Sequence, residues 1–187
     1  RNVNAYTAQD ETVYNISDVP TTNEGLLDTC LLVLHDWSHY LLLVDEEIDG
    51  ERGVISEEWR TRRDAGFRMR AVTMPVLLND SKYAKRDVIG DLDIIKNFKY
   101  QTLRDYYHKW YRPDLQAIAV VGDFDVDQME KKVKELSSKI PTPVNPAVRE
   151  KFTVNPHDDI YFVCATDKEV TQSSVSVYIK YPSTPKE

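Results

Sequence analysis

The stretch that most constrains this chain is Asp45–Arg63, DEEIDGERGVISEEWRTRR. Its apolar residues Ile48, Ile55 and Trp59 recur at i, i+7 and i+11, which is one stripe of an α-helix. At about 100° per residue, with Ile48 at zero, Ile55 and Trp59 fall within roughly 20° of it. Glu47, Glu51 and Glu58 then share a band between about 260° and 300°, flanked by Val54 and Ile55. Glu57 points away, near 180°. Carboxylates on one helical face repel one another, the more so when half buried. Such a band fits a metal ion, an Arg from a neighbouring element, or a solvated acidic edge. Spacing alone leaves all three open.

Other segments supply both helical and strand periods, so the chain reads as α+β. Arg1–Ile16 has the pattern of a hairpin turning at Gln9–Asp10–Glu11. Thr21-x-x-Glu24 has the form of a capping box, opening a helix from about Thr22 to Leu42 with the stripe Leu26, Leu27, Cys30, Leu34, Trp37 and Leu41. Arg68–Leu78 is another helix, or a continuation after Gly66, and Asn79–Asp80–Ser81 is a loop. Leu92–Lys96 is a short helical turn. Leu103, Tyr106, Tyr107 and Trp110 make a further stripe that Arg112–Pro113 ends. Leu115–Val121 is a continuous apolar run, the mark of a buried strand. Asp125-x-x-Gln128 caps a helix carrying Val126, Met129, Val133 and Leu136. Three prolines within Pro141–Pro146 make a stiff linker and a domain boundary. Beyond it, Ile160–Cys164 and Val175–Tyr181 are strands, the second alternating so that one face is buried, with Pro182 ending it.

One spacing resembles a metal motif. His35 and His39 stand at i, i+4 with Asp36 between, as in a two-histidine zinc helix. They fall opposite the apolar stripe, so solvent-facing histidines are the expectation. The chain has 187 residues and a net charge of −7, which argues against a nucleic-acid backbone or an anionic membrane surface as partner. No apolar run is long enough to be a membrane segment. The two cysteines, Cys30 and Cys164, lie far apart in apolar segments and read as small buried hydrophobes. No phosphate loop, serine elbow or basic patch with interleaved aromatics stands out. The absent initiator Met, and the strand pattern at the first residues, suggest an excised piece.

Taken together, NVNAYTAQDETVYN, ISDVP, LHDWSHY, EIDGERGVISEEWR, YYHKWYRPD and AVVGDFD resemble, in order, the pitrilysin/insulinase family of zinc metallopeptidases, and most closely its bacterial, processing-peptidase-like members. The resemblance implies an α+β fold, a mixed sheet covered by helices on one side, here incomplete at both ends. It implies that residues 1–141 are the later part of a first domain, 142–150 the Pro-rich linker, and 151–187 the opening strands of a second. The family's His-x-x-Glu-His is absent from these residues and would lie before Arg1. ERGVISEE matches the downstream helix, so the resemblance makes Glu58 the third zinc ligand and Glu51 an acid supporting the site without touching the metal. Asn4, Ala5, Tyr6 and Thr7 match the strand that pairs with substrate backbone. In such enzymes two His and one carboxylate leave a zinc position for water, whose pKa the metal lowers.

The implied parent is a zinc endopeptidase that cleaves unfolded peptides in a clamshell closed by a second half or partner subunit; its compartment is not legible in these residues. The other reading is a non-catalytic homologue that serves as a structural or substrate-presenting subunit. On either reading, this chain alone is expected to bind zinc weakly at most, to cleave nothing, and to self-associate through uncovered edges.

Overall fold

A computed structural model describes residues 2–79 and 81–181. Asp80 and Pro182, named above, lie outside them. The described chain runs β1 (Asn2–Thr7), β2 (Thr12–Ser17), α1 (Glu24–His39), α2 (Asp45–Thr61), α3 (Ala65–Leu77), α4 (Leu92–Asn97), α5 (Tyr100–Trp110) and α6 (Val126–Ser137), with 3₁₀ turns at Lys82–Lys85 and Pro113–Leu115. This is an α+β chain. Its contacts divide it into two units, Arg1–Asp49 with Phe98–Val148, and Gly50–Asn97 with Arg149–Glu187.

In the first unit β1 and β2 form an antiparallel hairpin with Ala5 opposite Tyr14 and Thr7 opposite Thr12. Helix α1 starts later than its capping box suggested. Asn23 is the N-cap, its Oδ1 accepting Leu26 N–H at 3.1 Å. Asn is among the strongest caps, so it takes the role from Thr21. The helix also ends earlier, at His39, where Tyr40 leaves helical geometry as the C-cap, and the chain then turns through Leu43 at φ 48°. Arg104 of α5 holds that turn by donating to the Leu43 carbonyl at 2.9 and 3.1 Å, and it pairs with Asp45.

The apolar core of this unit is Leu31, Ile48, Tyr107, Met129 and Ile140. Leu31 and Met129 come from α1 and α6, which pack together and are tied at the rim by Lys132 and Asp28 at 2.6 Å. Tyr107 brings α5 onto α1 and donates its hydroxyl to the Trp37 carbonyl at 2.8 Å. Helix α6 opens where the sequence places it, with Asp125 accepting Gln128 N–H at 2.9 Å.

The second unit is more open: among its described residues no hydrophobic side chain is fully buried. Helix α3 begins at Ala65 behind an Asp64 cap, three residues before Arg68. Asn79, at φ 41°, takes the left-handed conformation that closes a helix end. Residues 149–181 form no helix or strand and are tied to helical elements by side chains. Lys180 donates to the Leu77 carbonyl at 2.9 Å, and Tyr83 donates to Phe152 O at 3.3 Å.

Three expected strands carry no ladder. Residues 116–121, 160–164 and 175–181 have no strand assignment. A strand exists only where a neighbour takes its hydrogen bonds, and among the described residues none does. The expected buried face of Val175–Tyr181 is open as well: Val175 is 95 % exposed, and Val177, Ile179 and Tyr181 are also exposed. The two cysteines depart from expectation likewise, Cys30 being half-buried and Cys164 exposed.

Candidate functional site

Glu51 and Glu58 stand on the Gly50–Thr61 part of α2, seven residues apart on one face. At 1.5 Å per residue their Cα atoms are separated by about 10 Å along the axis. One ion can therefore touch one of them, and the other must act through an intermediary. Glu51 is exposed. The Glu58 side chain is 40 % exposed, and its Oε1 lies 2.5 Å from Arg62 Nη2. The cation against the band is thus an Arg, supplied four residues later from the turn that follows α2 rather than by a neighbouring element. Glu57, on the other side, takes a fork from Arg60 at 2.9 and 3.0 Å. Trp59 anchors the helix end, with the Arg63 guanidinium 3.4 Å above its ring.

No group of three His, Cys, Asp or Glu side chains able to hold a metal occurs among the described residues. A zinc ion therefore does not fit this chain's residues by themselves. Glu58 could offer one carboxylate, in exchange for Arg62.

The histidines of α1 correct the sequence reading. Neither faces solvent freely. His35 has a side chain only 11 % exposed, stacks on Tyr40 with ring centroids 4.8 Å apart, and contacts Asp36 at 3.2 Å. Its Nε2 is buried without a hydrogen-bond partner among the described residues. His39 Nδ1 lies 3.1 Å from the Tyr111 carbonyl, to which it donates. The α1 face opposite the apolar stripe is covered because residues 113–118 and α6 pack over it, forming a cavity of about 250 Å³ with His35 in its wall. A helical wheel cannot register a long-range cover of that kind.

Strand β1 leaves Asn4, Ala5, Tyr6 and Thr7 exposed. One edge is laddered to β2, and the other has no partner among the described residues. The aromatic cluster beside the hairpin went unread in the sequence. Tyr14 and Tyr111 share a hydroxyl–hydroxyl bond of 2.6 Å, and Tyr14 packs on Trp37 at 5.7 Å. Burial first, and then the Tyr111 hydrogen bond, push the Tyr14 hydroxyl well above the ordinary tyrosine range. Contrary to expectation, the chain also carries a basic patch with interleaved aromatics. Trp59, Arg62, Arg63, Phe67 and Arg70 line one cavity of about 490 Å³. Their signal was the run WRTRRDAGFRMR itself.

Comparison with known proteins defines the class. The family model described as "Peptidase M16 inactive domain" matches residues 97–187. The chain belongs to this pitrilysin/insulinase family of peptidases. Among individual relatives, it is 34 % identical over 183 residues to "Probable zinc protease PqqL" of Escherichia coli, covering 97 % of this chain and 19 % of that protein. It is 36 % identical over 155 residues to the Haemophilus influenzae protein of the same name, covering 83 % and 16 %. The solved first half of the periplasmic protease PqqL from E. coli superposes with a TM-score of 0.75 at 37 % identity, over 80 % of this chain and 32 % of that one. The ferredoxin protease FusC, solved as a mutant in complex with Arabidopsis ferredoxin, gives 0.74 at 27 % identity, over 81 % and 17 %. This chain thus spans about a fifth or less of the length of these two curated relatives. No helix among the described residues is long and apolar enough to cross a membrane.

Proposed function

We propose that this chain is part of a zinc-dependent metalloendopeptidase that hydrolyses peptide bonds of unfolded peptides inside a clamshell chamber. The observation that carries the reading is the face of α2, where Glu51 and Glu58 stand seven residues apart and Glu58 reaches a cation. Relatives named as zinc proteases support it. In the assembled enzyme Glu58 is the carboxylate ligand, completed by two histidines from outside these residues. Glu51, about 10 Å back along the helix, orients a ligand or a proton carrier without contacting the metal. Zinc when bound would supply an activated water. The described residues by themselves do not complete that site.

Residues 1–141 form the later part of one peptidase domain, 142–150 the Pro-rich linker, and 151–187 the first strands of the next. Asn4–Thr7 offer an open strand edge for the substrate backbone, which suits broad peptide specificity. The partner would be the second half, or a partner subunit, of the clamshell.

The deciding experiment is Glu58→Gln against Glu57→Gln in the intact parent. Glu58→Gln should lose zinc and peptidase activity together, while Glu57→Gln, whose carboxylate is engaged by Arg60, should keep both. Equal effects from the two would remove the assignment. A second reading, a non-catalytic structural or substrate-presenting subunit, draws on the "inactive domain" description of the match over residues 97–187. A parent that holds no zinc with Glu58 intact would favour it.

A further inference from the structure

The cavity at the end of α2 has an unbalanced set of charges. Asp64 and Asp87 both border it; one oxygen of each accepts a backbone N–H, and neither is in ion-pair contact with Arg63 or Arg70. Asp64 Oδ1 accepts Phe67 N–H at 2.6 Å, and Asp87 Oδ1 accepts Ile89 N–H at 3.4 Å. Arg62 is held by Glu58. The Arg63 guanidinium carbon lies over Trp59, 3.4 Å from its ring centre, and 5.0 Å from the Phe67 ring centre, and Arg70 stands on the next helix. Neither the Arg63 nor the Arg70 guanidinium has a carboxylate partner among the described residues. A protein of net charge −7 has acids to spare for neutralising surface arginines. Here two stay unpaired around one space of about 490 Å³.

Stacking on an aromatic ring fixes a guanidinium plane while leaving its N–H edge free, which is the geometry that receives a carboxylate through two parallel bonds. The Trp59 and Phe67 rings offer an apolar wall for the methylenes that carry such a group. We infer that this cavity is a subsite for acidic side chains, Asp or Glu, of an extended peptide, with Arg63 and Arg70 as its carboxylate-binding residues. Its role in selecting substrate rests on the peptidase reading, though its binding chemistry does not. Arg62 belongs to both places, lining the cavity and holding Glu58. The subsite therefore borders the candidate metal ligand, and freeing Arg62 should add a third guanidinium to it.

The test is fluorescence anisotropy on the 187-residue chain with short fluorescein-labelled peptides. One peptide carries a central Glu pair and its counterpart a Gln pair, both amidated at the C-terminus. A third, the Gln peptide with a free terminus, reads the terminal carboxylate. The Glu peptide should bind about tenfold more tightly at low salt, and the preference should collapse near 0.5 M salt. Arg63→Gln and Arg70→Gln should each remove most of it, Arg70→Lys should restore part, and Glu58→Gln should strengthen it. Circular dichroism melts of the variants identify any that fail to fold, and the Arg70→Lys and Glu58→Gln arms then decide. Equal affinity for the Glu and Gln peptides overturns the inference. So does a Glu preference that survives both arginine substitutions, or a free terminus that binds as well as the Glu pair. Because the readout needs neither zinc nor cleavage, an inactive parent would sink the peptidase reading and leave these affinities standing.

Discussion

Arg112 is the residue whose replacement should cost this chain most per atom removed. It is 5 % exposed, one of two buried polar side chains among the described residues. It ends α5 and reaches in three directions. Nη2 donates to the Ala147 carbonyl at 2.6 Å, and Nη1 donates to Lys109 O at 3.3 Å. Nε lies 3.0 Å from Asp114 Oδ1 but is not aligned as a hydrogen bond, so that contact is one of charge. Hydrogen bonds from a charged donor contribute about 1.5–3 kcal/mol each; the short bond should count fully and the long one little. Asp114, with a 44 % exposed side chain, adds less than about 1 kcal/mol, and water can solvate it when the Arg is gone.

Arg112→Met should therefore cost about 3 kcal/mol, or about 6–12 °C in Tm for a chain of this size. Lys, a single point charge, cannot serve two carbonyls and a carboxylate at once, and should recover less than half. Urea unfolding measures the loss as a shift of midpoint at unchanged slope. Because the short bond ends on Ala147, limited trypsinolysis at Arg149 should also speed up in the Met variant. A loss under about 1 kcal/mol, or a Lys variant as stable as the native chain, would refute the reasoning.

The raised hydroxyl pKa of Tyr14 has a definite sign. The folded state keeps a proton that the unfolded chain releases above about pH 10, so stability should fall as pH rises past that point. Tyr14→Phe should flatten the fall in an alkaline melt series. In the second unit, Arg68 donates to Asp167 at 2.6 and 2.9 Å, to Glu169 at 2.7 Å and to the Arg63 carbonyl at 2.9 Å. The guanidinium first, and the Glu169 N–H second, hold the Asp167 carboxyl at about 2, against an ordinary 3.8. That contribution to stability is present above about pH 4 and is lost as pH falls through about 2. Arg68→Gln should return the carboxyl toward its ordinary range in an NMR titration. The isolated chain should neither retain stoichiometric zinc by metal analysis nor cleave peptides. It should associate through its exposed 160–181 segment in sedimentation, and a zinc-loaded, proteolytic monomer would contradict all of this.

Local chemistry wrote much of this protein into its sequence. Helix α2 follows from a single apolar stripe, and α6 from Asp125 at its cap, because helical period and capping involve residues three to four apart. The Glu58–Arg62 pair and the stack of Arg63 on Trp59 have the same i, i+4 spacing, and both are legible in the run EWRTRR. The tertiary structure decided what depends on distant neighbours. His35 and His39 lie on the polar side of their own wheel; His35 is covered by residues 113–118 and α6, and His39 meets the Tyr111 carbonyl 72 residues later. Arg68 meets Asp167 across 99 residues that no local rule connects. The apolar runs at 115–121 and 175–181 have strand sequences, but a ladder needs the neighbour's hydrogen bonds. Side chains bias a segment toward extension on their own, and only the assembled sheet can make it a strand.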